Sequence, residues 1–136
     1  MNILVIDAQG GGIGKQLVSE IKEKIPAAHI TAVGTNTTAT MAMLKAGADE
    51  AATGENPIIV ACRKADVITG PVGIVIADSL LGEVTPASAM AVAQSPAKRV
   101  LIPFSQCDNI IVGMSDKSTG SLIQSAVEEI SRLFCG

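Results

Sequence analysis

The apolar run Asn2-Ile3-Leu4-Val5-Ile6 leads directly into Asp7-Ala8-Gln9-Gly10-Gly11-Gly12-Ile13-Gly14-Lys15, and this stretch decides the fold. A short apolar run that ends in a glycine cluster predicts a buried β-strand followed by a tight turn. Residues 13–25 then carry apolar side chains at helical spacing, and Pro26 ends that helix. A strand, a glycine turn and a helix in this order bring backbone N–H groups and the positive end of a helix dipole together, which favours phosphate binding.

The alternation of strand, turn and helix continues along the chain and predicts an α/β fold. We expect a three-layer, Rossmann-like domain over residues 1–136, with a mostly parallel sheet and helices on both faces. The further strands are predicted at 29–33, 50–53, 66–69 and 99–104, and the further helices at 37–46, 57–65, 86–94 and 119–134. Residues 74–77 fit either a strand or a buried loop. Residues 110–114 are predicted as an antiparallel edge strand, because only a short loop precedes them.

Helix-start signals occur twice in the second half of the chain. Asn56 precedes Pro57, and Thr85 precedes Pro86. A polar N-cap residue followed by proline at the first helical position is a common helix start. We therefore predict Asn56 and Thr85 as N-caps.

Composition limits the classes of partner. Hydrophobic residues make up 48% of the chain and charged residues only 17%, which is little polar surface for 136 residues, so we expect a homo-oligomer. The net charge of -3, the lack of a basic cluster and an aromatic content of 1% argue against nucleic acid. No apolar run reaches the roughly 18 residues of a membrane span, and the N-terminus lacks a signal-peptide pattern. We expect a cytosolic protein with no membrane partner.

Ligands of an open parallel sheet bind outside the carboxyl ends of its strands. The predicted carboxyl-end loops contain most of the glycines and the polar residues Asp7, Gln9, Thr35, Asn36, Thr53, Glu55, Asn56, Asp78, Ser79, Glu83, Ser105, Cys107 and Asp108. The loops at the opposite edge contain fewer glycines and fewer polar residues. This asymmetry indicates that the functional face is the carboxyl edge.

The glycine turn matches no established motif completely. Gly10 and Gly12 fit G-x-G-x-x-G, but Lys15 occupies the third glycine position. The ending Gly12-Ile13-Gly14 is closer to the T-G-x-x-x-G-I-G turn of short-chain dehydrogenases, without its opening Thr-Gly. Gly14-Lys15 fits a Walker A motif, but Gln16 replaces the hydroxyl that would bind Mg²⁺, which disfavours a P-loop NTPase. The alternative is a turn that needs glycine only for close packing.

The carboxylates of Asp7, Glu55, Asp78, Glu83 and Asp108 are candidates for acid–base chemistry. Asp7 among them, and Cys107 as a nucleophile, are the favoured candidates for catalysis. Asp7 ends a buried strand, where a carboxyl group has little solvent, and Cys107 follows the strand at 99–104. The single histidine, His29, begins its strand and belongs at the opposite edge, so a Cys–His dyad within one subunit is disfavoured. Cys62, Cys107 and Cys135 are odd in number and widely separated, so we expect no disulfide framework. We also expect no metal site within one chain, because no C-x-x-C or two-histidine spacing occurs.

A nicotinamide dinucleotide site usually has an acidic residue about 20 residues beyond the glycine turn, where it accepts from ribose hydroxyls. The corresponding residues here, Gly34-Thr35-Asn36, include no carboxylate. Asn36 could form a hydrogen bond with a ribose or could cap the following helix. NAD(P) or another nucleotide therefore stays open as the cofactor.

The glycine turn, Gly34-Thr35-Asn36, Met43-Leu44-Lys45-Ala46-Gly47-Ala48 and Thr53-Gly54-Glu55-Asn56 resemble an uncharacterised family of short bacterial proteins, a domain of unknown function. Gly70-Pro71-Val72-Gly73-Ile74, Leu81-Gly82-Glu83-Val84-Thr85-Pro86 and Leu101-Ile102-Pro103 extend the resemblance over essentially the whole chain. The resemblance implies a Rossmann-like fold and no particular activity. Ala8 stands where that family is expected to have a glycine.

Three hypotheses about function follow. The first is a binding protein for a nucleotide or another phosphorylated small molecule, with the phosphate on Gly10–Gly14. The binding residues would be Gln9, Gly10, Gly11, Gly12, Ile13, Gly14, Lys15, Thr35, Asn36, Thr53, Gly54, Glu55 and Asn56. The second is a small oxidoreductase-type enzyme that uses a dinucleotide on the same face. The third is a structural or regulatory subunit of a larger assembly that binds no ligand. The sequence leaves open whether any reaction is catalysed.

Overall fold

Five parallel strands form the sheet in the order β3-β2-β1-β4-β5. The computed structural model describes residues 1–104, 109–113 and 117–135. The central strand β1 (Asn2–Asp7) lies between β2 (His29–Gly34) and β4 (Val67–Pro71). The edges are β3 (Glu50–Thr53) and β5 (Lys98–Ile102). The predicted α/β class with a mostly parallel sheet is confirmed.

Helices cover both faces of this sheet. They are α1 (Gly12–Lys24), α2 (Thr37–Lys45), α3 (Glu55–Lys64), α4 (Pro86–Gln94) and α5 (Thr119–Cys135). The first two pack with α5 on one face, and α3 packs with α4 on the other. The chain reverses its direction across the sheet after β3, and right-handed crossovers then place α3 and α4 opposite α1 and α2. Within the described residues, no helix is both long and apolar enough to cross a membrane.

The central strand supplies both halves of the core. Ile3 and Val5 join the cluster beneath α1 and α5, while Leu4 and Ile6 join the cluster beneath α3 and α4. All four side chains are almost completely buried. A strand buried on both faces is apolar at successive positions, which is why Ile3 to Ile6 form an unbroken apolar run.

Several predicted boundaries were wrong. Helix α3 begins at Glu55 with Gly54 as its N-cap, so Asn56 lies inside the first turn. Pro57 is accepted there because the first N–H groups of a helix have no intrahelical partner to lose. The strand predicted at 99–104 is β5, which ends at Ile102. Thr85, in contrast, is the N-cap of α4, and its hydroxyl accepts from Ser88 N at 3.1 Å.

Neither residues 74–77 nor residues 110–113 form a strand, so the prediction of an antiparallel edge strand is wrong over its described residues. Val72–Val75 forms one 3₁₀ turn, and a loop then continues to Val84. Residues 110–113 form no strand and instead include a turn at Val112 and Gly113, while Met114 lies outside the described residues. Ile110 and Val112 are almost fully exposed, so their apolar alternation has no sheet face to pack against.

Candidate functional site

The reversal of chain direction occurs between β1 and β4, and the carboxyl ends of these strands flank a crevice. Such a switch point is where open α/β sheets bind their ligands. The glycine turn forms one wall of a cavity of about 200 Å³ here, and Pro71, Leu80 and Phe104 form the other. Larger concavities lie elsewhere, including one of about 340 Å³ beside β2, β3 and α3, but those surfaces lack the glycine turn. The crevice at the switch point is therefore the candidate site.

Asp7 holds the glycine turn against the sheet. Its Oδ1 accepts from Ala8 N at 2.8 Å, and its Oδ2 accepts from Gly14 N at 2.7 Å. Gly11, the N-cap residue, has no side chain to cap α1, so the Asp7 carboxylate takes that role from the end of β1. Burial raises the pKa of Asp7, the two amide hydrogen bonds oppose that effect, and the charge of Glu83 adds to it.

The glycines of the turn differ in what a side chain would meet. A Cβ on Gly11, where φ is +72°, would lie 2.8 Å from Ala39 Cα, and one on Gly14 would lie 2.8 Å from Asp7 Cβ. Close packing therefore explains these two glycines. A Cβ on Gly10 or Gly12 would meet no atom within 4 Å. Packing alone does not account for glycine at those two positions.

The backbone N–H groups of the turn also divide into two kinds. Gly11 N donates to Ala8 O at 3.0 Å, and Gly14 N is taken by Asp7. Within the part of the chain that the structure describes, no oxygen accepts from the N–H groups of Gly10, Gly12 or Ile13. These three residues line the cavity. The turn thus offers three donors at the N-terminus of α1.

Lys15 lies away from this cavity. Its side chain borders an outer groove between α1 and α2, together with Thr37, Thr38, Met41, Ala42 and Lys45. The side chain is exposed. In this conformation Lys15 does not line the cavity that the turn surrounds.

The loop Ile76–Thr85 lies at the carboxyl edge of the sheet, and its Leu80 lines the cavity. Leu80 packs with Ala8, the residue after β1, and Asp78 N donates to Val84 O at 2.7 Å, so the loop contacts both the glycine turn and itself. Thr85 Oγ1 donates to Glu55 Oε1 at 2.7 Å, which fixes the end of the loop to the start of α3. The loop connects the glycine turn with the ends of β2 and β3.

Glu83 is the centre of the polar contacts at this edge. Its Oε1 accepts from Gln9 N at 3.0 Å, from Thr35 Oγ1 at 2.7 Å and from Asn36 Nδ2 at 2.7 Å. Partial burial works against ionisation of Glu83, but these three hydrogen bonds outweigh it and lower the pKa. The sequence predicts Glu83 as a polar residue of this edge and as one of several acid–base candidates, but not as a binding residue. No local pattern connects it with Thr35.

The residues after β2 have structural partners. Asn36 caps α2, since its Oδ1 accepts from Ala39 N at 2.9 Å, and its Nδ2 donates to Gln9 O at 3.0 Å. Asn36 therefore caps a helix and borders the site at once. Thr53 pairs with Thr40 through hydroxyls 2.7 Å apart, and the exposed residues Glu55 and Asn56 begin α3. The stretch Thr53–Asn56 lies at the same edge of the sheet, beyond Asn36.

The remaining candidates for chemistry fall into three places. Cys107 lies outside the described residues. Cys62 lies on the buried face of α3 and belongs to the core, and burial raises the pKa of its thiol to about 11. His29 begins β2 at the opposite edge, beside Glu50. Among the described side chains, no group of three or more His, Cys, Asp and Glu residues is placed to hold a metal ion.

The model of a family described as "Domain of unknown function (DUF3842)" matches residues 2–135. The chain belongs to this family. The uncharacterised family expected from the motifs is thereby confirmed. A search of curated proteins finds no match.

Two solved structures resemble the fold. One is a dodecameric FMN-dependent UbiX-like decarboxylase from Escherichia coli O157:H7, at 15% identity and a TM-score of 0.55. The alignment covers 100% of this chain and 96% of that one. The other is AibC, at 21% identity and a TM-score of 0.50, with 97% of this chain and 38% of that one covered. At these identities the resemblance is one of fold.

Proposed function

We propose that this protein binds a nucleotide or another phosphorylated small molecule in the crevice between the glycine turn and the loop Ile76–Thr85. The phosphate would accept hydrogen bonds from the N–H groups of Gly10, Gly12 and Ile13. The helix dipole of α1 would add attraction for its negative charge. The FMN dependence of the decarboxylase with a similar fold supports a phosphate-bearing ligand.

One observation carries the proposal. Gly10 and Gly12 are glycines beside open space, whereas Gly11 and Gly14 are glycines in close packing. If the turn were only structural, glycine would be needed at the packed positions alone. A phosphate lying on the turn needs the backbone to be bare at the open positions too.

The Asp7 carboxylate limits where the phosphate can lie. It occupies the Gly14 N–H group and carries a negative charge when ionised, so the phosphate would lie toward the outer side of the turn. Asp7 then acts in this proposal by holding the turn in shape. Proton transfer by Asp7 is not required for binding.

The test begins with the protein as purified. The chain contains no Trp or Tyr, so a bound nucleotide or flavin would dominate its ultraviolet spectrum, and mass spectrometry of the molecules released on denaturation would identify it. Titration calorimetry with ADP, NAD, FMN and inorganic pyrophosphate then measures affinity directly. Absence of a copurified ligand together with no binding of these four probes would overturn the proposal.

Two variants of matched size test whether the turn binds an anion. Gly12→Asp introduces a negative charge at the open position, and Gly12→Asn introduces a neutral side chain of the same shape. A like charge near 4 Å costs a few kcal/mol at an effective dielectric of about 20, so Gly12→Asp should weaken binding roughly 100-fold. Gly12→Asn should weaken it much less. Equal losses in both variants would count against a phosphate on the turn.

A further inference from the structure

A carboxylate lies at the carboxyl end of β2, although the residues that follow this strand in the sequence include none. Dinucleotide-binding folds place an acidic side chain at the carboxyl end of the second strand, where it accepts from ribose hydroxyls. Residues 34–36 at the end of β2 contain no such side chain. Glu83, which follows β4, reaches this position across the sheet and accepts from both Thr35 and Asn36.

The contacts of Glu83 fix one carboxylate oxygen and leave the other open. Gln9 N, Thr35 Oγ1 and Asn36 Nδ2 all donate to Oε1. Among the described residues, none donates to Oε2. An ionised carboxylate accepts several hydrogen bonds, so an oriented oxygen remains for a ligand hydroxyl.

The position relative to the glycine turn fits a ligand that has a sugar next to its phosphate. Gln9 donates its N–H to Glu83 and is followed directly by Gly10, the first open glycine. Glu83 is not among the residues that line the cavity of about 200 Å³, but it contacts the lining residue Gln9, so it lies at the border of that cavity, next to Gly10. A second phosphate at Glu83 would meet a like charge, whereas a hydroxyl would find an acceptor.

We propose that Glu83 is a ligand-binding and specificity residue, which accepts a hydrogen bond through Oε2 from a hydroxyl of a ribose or ribityl group adjoining the bound phosphate. This inference rests on the proposed phosphate site and narrows its ligand class to sugar phosphates of nucleotides or flavins. Thr35 and Asn36 are positioning residues, because they orient the carboxylate.

The test compares ADP with 2′,3′-dideoxy-ADP, and both with inorganic pyrophosphate and FMN, by titration calorimetry. Loss of a hydrogen bond to a charged acceptor should make the dideoxy compound bind about tenfold or more weakly to the wild-type protein. Glu83→Gln, which keeps the size of the side chain but puts an amide in place of the carboxylate, should remove this difference. Its affinity for pyrophosphate should not fall. Thr35→Val should reduce the difference partially.

The outcomes separate the two proposals. Equal affinity of the wild-type protein for ADP and its dideoxy analogue would overturn the role of Glu83 and leave the phosphate site standing. This comparison needs no variant, so it decides the matter even if Glu83→Gln does not fold. If FMN is the only probe that binds, its affinity for Glu83→Gln decides the matter. An affinity about tenfold or more below that of the wild-type protein supports a hydrogen bond from a ribityl hydroxyl to Glu83, and an unchanged affinity overturns this role of Glu83. Absence of a copurified ligand, together with no binding of ADP, NAD, FMN or pyrophosphate, overturns both proposals.

Discussion

Single glycines in the turn serve two different physical purposes. Gly14 lies where α1 meets both β1 and α2, and a Cβ there would approach Met43 Sδ to 2.6 Å as well as Asp7 Cβ. Gly12 begins the same helix but faces open space. Stability and ligand binding should therefore depend on different glycines.

We expect Gly14→Ala to lower the free energy of unfolding by about 1–3 kcal/mol, because the new methyl group overpacks a filled space. Gly12→Ala should change it by less than about 0.5 kcal/mol, as is usual for open surface positions. Urea unfolding followed by far-ultraviolet circular dichroism measures both, since the chain lacks Trp and Tyr.

Gly120→Ala is the control for these variants. Gly120 lies in the first turn of α5, and its Cβ would be 3.7 Å from Gln16 Nε2, an ordinary contact. This variant should behave like Gly12→Ala. If Gly12→Ala were as destabilising as Gly14→Ala, the turn would need all its glycines for packing, and the main argument for a ligand would be lost.

Among the elements, the sheet and its helices could be predicted from the sequence, while the loop over the site could not. The strand at Ile3–Ile6 and the helix after Gly12 follow from periodicity within a dozen residues. Glu83 and Thr35 are 48 residues apart, and their contact depends on β1, β2 and β4 being neighbours in the sheet. Local patterns contain no information on such a contact.

The backbone conformation of the loop Ile76–Thr85 is a second reason why this loop could not be predicted from the sequence. Asp78, Leu80 and Leu81 all have positive φ, a conformation that leucine rarely adopts. Hydrogen bonds inside the loop and the packing of Leu80 on Ala8 hold this backbone in place. Neither strand nor helix periodicity describes such a segment.

Protonation of Glu83 in acid should weaken the contacts that hold this loop and lower the free energy of unfolding. The folded state lowers the pKa of Glu83, so the stability that the ionised carboxylate contributes is complete above the ordinary glutamate pKa of about 4.3. It is lost as the pH falls through the lower pKa of the folded state. The wild-type protein should therefore exceed Glu83→Gln in free energy of unfolding near neutral pH, and this difference should vanish in acid.

Asp7 provides a control of opposite sign. Burial raises its pKa, so any stability that it contributes is fully present below the ordinary aspartate pKa of about 3.9 and declines as the pH rises through the raised value. The difference between the wild-type protein and Asp7→Asn should thus shrink with rising pH. Urea unfolding across the acidic range measures both differences, and pH trends of the same sign for the two variants would contradict these assignments.

At the scale of the whole molecule, the exposed apolar surface argues for self-association. Ile110 and Val112 lie two residues apart and are 88% and 94% exposed, and Leu81 at the loop over the site is 87% exposed. Scattered apolar side chains are common on monomers, but these two lie on one short segment, and we expect them to form part of a contact surface.

We therefore expect light scattering coupled to size exclusion to give a mass several times the 13.8 kDa of one chain. Replacing both Ile110 and Val112 by Ser should shift the distribution toward the monomer, because it removes apolar area that association would bury. Met90→Ser, at an exposed position on α4, is the matched control and should leave the mass unchanged if the contact runs through residues 110–112. A wild-type protein that runs as a monomer at all concentrations would contradict the expected homo-oligomer. If the double replacement left the oligomer unaffected, the subunit contact would lie on another surface. The low charge content of the chain would then still account for the association.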